Sequence, residues 1–157
     1  MLAVPTPTPG RPPTGEEWVH EVKWDGVRVM ADRSGGQLRL LNRTELDVTV
    51  AYPEIVASLG GLPGDLLVDG EVVAMAPDGR PTLQAIAHRM HVRDPDRTQL
   101  LSRTRPVTYL VFDLLRLQGQ DLVGLPLAQR RELLDSLDLA ETTSLHLGRP
   151  CWQPSPQ

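Results

Sequence analysis

The 157-residue sequence contains one cysteine, one lysine and one phenylalanine. A lone Cys151 excludes an intrachain disulfide and a multi-cysteine zinc site, and it fits a reducing compartment. No apolar run approaches the ~20 residues that span a bilayer, and the N-terminus lacks the basic-then-apolar order of a secretory signal. A cytoplasmic chain with no membrane partner is expected. Excess positive charge is also absent. The formal net charge is −4, which argues against a broad electropositive track of its own along a nucleic-acid backbone. Any grip on nucleic acid would have to come largely from elsewhere.

What is present points to a single core. At this length a chain buries roughly 68–70% of the surface that its unfolded form exposes. Hydrophobic residues at 40% and charged ones at 23% are ordinary for a globular protein and exclude wholesale disorder. The basic residues are lopsided, because Lys23 is the single lysine among sixteen Lys and Arg residues. Genomic base composition is the plain explanation. The chemical one is that guanidinium is effectively never deprotonated, so only the lysine can serve as an amine nucleophile.

Residues 1–15, with Pro5, Pro7, Pro9, Pro12 and Pro13 among threonines and glycines, read as a disordered leader. An ordered domain is expected over 16–148 and a flexible tail over 149–157. Trp18 to Lys23 and Val27 to Asp32 are rich in tryptophan and valine and flank an Asp25-Gly26 turn signal, which predicts a hairpin. Ser34-Gly35-Gly36 leads into a third strand over Gln37 to Leu41, giving an antiparallel meander. Tyr52 to Leu59 has helical spacing and a Gly60-Gly61 stop. Two strands are expected over Leu66 to Val68 and Val72 to Met75, around Asp69-Gly70-Glu71, and a Pro77-Asp78-Gly79 turn closes the second. Thr82 to Met90 has a helical apolar face. Val107 to Leu115 suits a buried central strand, and Pro126 opens a helix to about Leu137. The predicted class is α+β, with mostly antiparallel sheet and three interspersed helices.

Side chains two apart on a strand share a face, so Glu21 and Lys23 would project together, followed by Asp25 at the hairpin tip. A free lysine is overwhelmingly protonated at neutral pH. Flanking carboxylates favour the ammonium form, so nucleophilic attack would require a divalent metal or desolvation to offset them. The plain alternative is a surface ion pair. Asp69 and Glu71 repeat the alternation, with Gly70 between them permitting close approach of a ligand. A ribose diol or hydrated magnesium would suit them, whereas Asp-Gly equally marks a simple hairpin corner. Phe112, sharing its predicted face with Leu110 and Leu114, can be core packing or a base-stacking platform. Arg43 can hold a phosphate bidentately or simply be solvated. His88 and His91 alone make no metal site.

These pieces together resemble one family. Glu21-Val-Lys-Trp-Asp-Gly-Val-Arg28 is similar to the Lys-x-Asp-Gly-x-Arg nucleophile motif of covalent nucleotidyltransferases, and its Glu-x-Lys-Trp-Asp-Gly form resembles that of bacterial ATP-dependent DNA ligases. Further similar segments follow in the family's order. They are Asn42-Arg43, Asp47-Val-Thr49 with Tyr52-Pro-Glu54, Leu67-Val-Asp-Gly-Glu-Val-Val73, Gln84 through Arg89-Met90, and Val111-Phe-Asp-Leu-Leu115. The resemblance runs from about Trp18 to Leu137 and is greatest to the ligase domains of bacterial end-joining repair.

It implies a partial nucleotidyltransferase (ATP-grasp-like) adenylation domain. Lys23 would attack the α-phosphate of ATP, with Glu21 at the adenine end of the pocket, Arg28 and Arg43 on ribose or phosphate, and Phe112 stacked on adenine. Glu71 would hold the ribose hydroxyls or help with metal. Magnesium is implied by phosphoryl transfer, and nicked or broken double-stranded DNA is the implied partner. Two departures stand against the pattern. The family's later lysine-bearing motifs and its following OB-type barrel are missing, so the resemblance implies a shortened ligase that needs further domains or a partner chain. After Arg43, where the family has a glycine-containing turn, this chain has Thr44-Glu45. An ATP- or AMP-binding module without transfer and an inactive remnant are the competing readings.

Overall fold

The computed structural model describes residues 13, 15, 18, 20–62, 64–137, 139 and 144–148. The expected leader, apart from residues 13 and 15, and the whole expected tail lie outside them. The chain divides into two compact units, one of residues 1–23 with 149–157 and one of residues 24–148.

The second unit is built on a six-stranded sheet. β1 (Val27–Ser34) turns through Gly35 and Gly36, both at positive φ, into β2 (Gln37–Asn42). A 3₁₀ turn at Thr49–Ala51 and α1 (Pro53–Gly60) follow, with Pro53 in the first helical turn where its missing N–H costs nothing. β3 (Leu66–Val73) then crosses back beside β1. A one-turn helix, α2 (Leu83–Ile86), is capped by the Thr82 hydroxyl, and α3 (Pro95–Thr104) by the Asp94 carboxylate. β4 (Thr108–Leu117), the two-residue β5 (Gln120–Asp121), α4 (Leu127–Ser136) and β6 (Leu145–Leu147) complete it. The strand order is β2-β1-β3-β4-β5, all neighbours antiparallel, while β6 joins β4 in parallel.

Val29, Ala31, Val68, Val72, Tyr109, Val111 and Leu114 alternate along the central strands and are buried with Tyr52, Ile55 and Leu59 of the α1 region. Period-two alternation thus sends one set of strand residues to the core and the intervening set, including Arg28, Asp69 and Glu71, to the opposite face. Among the described residues no helix is long and apolar enough to cross a membrane.

The expected α+β class with largely antiparallel sheet is what the fold has, and four expectations change. Described residues 18 and 20–24 form no strand, because both edges of β1 are already taken, by β2 and β3. Asp69-Gly70-Glu71 is no corner but the middle of one continuous strand. The helix expected over 82–90 stops after one turn, and successive turns carry Arg89 into the interior. Helix α3 was not expected at all.

Candidate active site

Gly26 and Gly70 set the site's frame. A Cβ on Gly70 would lie 2.5 Å from the Leu110 carbonyl oxygen and 2.6 Å from the Tyr109 ring. The Asp-Gly-Glu order therefore reflects close strand packing, which leaves the two flanking carboxylates on one face. A Cβ on Gly26 would collide with the Val72 carbonyl oxygen. Asp25 anchors the same turn by accepting the Leu83 amide at 3.0 Å. The backbone entering β1 is thereby locked to β3 and to α2.

On the face opposite the core, Arg28 stands across from Glu71, and its guanidinium grips Asp69 through Nε at 3.0 and 3.2 Å and through Nη2. Asp69 is buried, whereas the Arg28 side chain stays about a third exposed. These hydrogen bonds raise Arg28 further above its ordinary pKa. The charges of Asp69, Glu71 and Asp113 act in the same direction, and burial opposes them. The Arg28 guanidinium also lies over the Phe112 ring, 6.0 Å from its centroid. Phe112 lies at a break in the β3–β4 register. Asp69 pairs with Asp113 and Gly70 with Val111, so β3 skips Phe112. A bulge re-aims a side chain that strict alternation would constrain. Arg28, Glu71 and Phe112 are therefore brought together at one half-exposed place.

The other expected residues lie elsewhere. Arg43 is exposed in the turn after β2, and β1 separates β2 from β3. Asn42 organises that turn by accepting the Thr44 amide, the Thr44 hydroxyl and the Leu46 amide at 2.9 to 3.0 Å. Within it Glu45 holds φ +60°, a left-handed conformation that suits glycine. Glu21 and Lys23 belong to the first unit, where both are exposed and outside any strand, so strand alternation does not orient them. Asp113 and Arg130 were given no role by sequence reasoning. Arg130 donates to both Asp113 oxygens at 2.8 Å.

This arrangement suits a nucleotide. A half-exposed aromatic ring offers a surface to a base, and a pinned guanidinium and a carboxylate can reach ribose or phosphate oxygens. It suits a fully protein-held metal less well, since among the described residues no group of three or more His, Cys, Asp or Glu could hold one. Magnesium would instead take mainly phosphate oxygens and water, with Glu71 as the protein candidate.

The profile of the ATP dependent DNA ligase domain matches residues 1–148. The chain belongs to the ATP-dependent DNA ligase domain family. A probable DNA ligase of Beutenbergia cavernae is 38% identical over 119 residues, covering 74% of this chain and 22% of that protein. DNA ligase B of Mycobacterium tuberculosis is 36% identical over 124 residues, covering 78% of this chain and 24% of that one. The ligase domain of LigD from M. tuberculosis superposes with a TM-score of 0.64 at 30% identity over 82% of this chain and 40% of its own. A mycobacterial DNA ligase D complexed with ATP and MES gives a TM-score of 0.58 at 30% identity over 82% of this chain and 39% of its own. The chain thus spans about a quarter of the curated ligases that it matches. Within the ligase domain family, the sheet face carrying Arg28, Glu71 and Phe112 is the candidate nucleotide site.

Proposed function

We propose that this chain carries the lysine-adenylating part of an ATP-dependent DNA ligase, with Lys23 as the AMP acceptor. The observation that carries the proposal is the continuous run Lys23-Trp-Asp-Gly-Val-Arg28, whose Asp25-Gly26 turn is clamped to β3 and α2 and whose Arg28 is pinned beside Phe112.

Lys23 Nζ attacks the α-phosphorus of ATP. A P–N bond forms, the bond from that phosphorus to the bridging oxygen of pyrophosphate breaks, and the amine proton passes to solvent. Arg28 steadies ribose or phosphate oxygens, as Arg43 would from its own turn. Phe112 stacks on adenine, Glu71 holds ribose hydroxyls or would help to hold a metal, and Glu21 lies at the adenine end. Magnesium supplies charge neutralisation on the triphosphate. The AMP then passes to a DNA 5′-phosphate and is displaced by a 3′-hydroxyl at a nick, in the cytoplasm, with further domains or a partner chain gripping the DNA. The net charge of −4 supports that division of labour.

A second reading, a module that binds ATP or AMP without transfer, is favoured by one observation. Lys23 is the sole lysine, so no other lysine of this chain can approach the phosphates. Incubation with magnesium and α-labelled ATP separates the two. The chain alone and the chain joined to the C-terminal remainder of a related mycobacterial ligase are each compared with Lys23→Ala. Covalent label confined to Lys23-bearing protein in either form supports adenylation. Reversible binding without label in both forms supports the module.

A further inference from the structure

We infer that Arg130 and Asp113 form a positioning pair for the Phe112 ring, so that their loss selectively weakens recognition of the nucleotide base. The inference rests on the nucleotide site proposed above and extends it to α4, whose residues carry no part of the motif pattern.

Asp69 and Asp113 are buried cross-strand partners. Two adjacent carboxylates in a low-dielectric setting repel unless each has its own cation. Arg28 serves Asp69 and Arg130 serves Asp113. Each nitrogen of the Arg130 guanidinium donates, Nε and Nη2 to Asp113 at 2.8 Å and Nη1 to the Leu125 carbonyl at 2.6 Å. Such a planar fork fixes direction as well as charge. Asp113 Oδ1 also accepts the Leu114 amide at 2.9 Å, so the side chain of the residue directly after Phe112 is held both by α4 and by the backbone of its own strand. Phe112 has no partner in β3 to set its direction, and its immediate neighbour takes that part. Arg130 acts through Asp113 alone and is a positioning residue.

The test uses the full chain and two variants. Arg130→Lys keeps the charge and loses the fork, while Asp113→Asn with Arg130→Gln replaces the ion pair by a neutral hydrogen bond. Dissociation constants for ATP and for inorganic tripolyphosphate are measured by calorimetry, at a temperature where circular dichroism shows each protein native. The expected result is a loss of ATP affinity of about tenfold, in the range of a base–aromatic stack, with tripolyphosphate affinity unchanged. Parallel weakening of both ligands, or unchanged ATP affinity in the folded variants, overturns the inference. Failure of the unaltered protein to bind either ligand, both alone and joined to the C-terminal remainder of a related mycobacterial ligase, overturns the nucleotide site itself, and this inference with it.

Discussion

Arg89 has no exposed surface, and its position shows what a buried cation requires. Glu54 grips it at 2.8 and 2.9 Å, and the Ala51 and Arg105 carbonyls accept its remaining Nη protons at 2.7 and 2.9 Å. The Tyr52 ring lies 5.8 Å from the guanidinium. Removing one partner of such a pair strands a desolvated charge, so Glu54→Ala should cost about 3–5 kcal/mol in urea denaturation, and Glu54→Leu with Arg89→Met should recover much of it. Tyr52 supplies a pH signature. Burial pushes its hydroxyl from 10.0 up to about 12. The neutral form is favoured in the folded chain, so this contribution is intact below pH ~10 and is lost as pH rises from there through about 12. Tyr52→Phe should therefore flatten the alkaline fall in stability by about 2–3 kcal/mol, read from denaturation midpoints across that range. At this scale the sequence marked Arg28, Glu71 and Phe112, which the structure brings together on one sheet face, whereas Lys23 belongs to the first unit. Arg130 left a signal that was not used. It shares a helical face with Leu127, Leu134 and Leu137, where an arginine requires a buried acid, and Asp113 lies within the apolar run 107–115.

Elements were legible where periodicity and turn chemistry agreed. The β1–β2 hairpin follows from its glycines, and α1 and α4 from their leucine and isoleucine spacing and prolines. Asp69-Gly70-Glu71 was ambiguous because Asp-Gly serves both a turn and a close strand crossing, and only the neighbouring strand decides between them. Gly70→Ala tests that assignment. Its Cβ would press on the Leu110 carbonyl oxygen at 2.5 Å, so a loss of about 3 kcal/mol is expected, measured by thermal or urea unfolding. A turn residue there would tolerate alanine with little change. Helix α3 escaped because it buries only Thr98 and so has no apolar stripe, although Asp94 before Pro95 is a sound start signal. The strand proposed for 18–23 failed for a non-local reason, since β2 and β3 occupy both edges of β1. No local pattern reports which edges are filled. The parallel partner β6, three residues long, is likewise fixed by its pairing with β4.

At the scale of the whole molecule, the antiparallel α+β architecture was legible in outline at the β1–β2 turn, while β3 meets its neighbours β1 and β4 only through long helix-bearing connections. The geometry of the candidate nucleotide face was legible in part. Spacing placed Asp69 and Glu71 on one face, but the register break at Phe112, beside Arg28, depends on pairing across strands. The chain spans about a quarter of its curated relatives, so the proposed function is best tested on the single step assigned to Lys23. That test is the mass of the chain, alone and joined to the C-terminal remainder of a related mycobacterial ligase, after incubation with ATP and magnesium and again after added pyrophosphate. A gain of one AMP is expected, mapped to the Lys23 peptide, absent from Lys23→Ala and reversed by pyrophosphate. An unchanged mass in both forms, or an adduct that persists in Lys23→Ala, would contradict the assignment to Lys23.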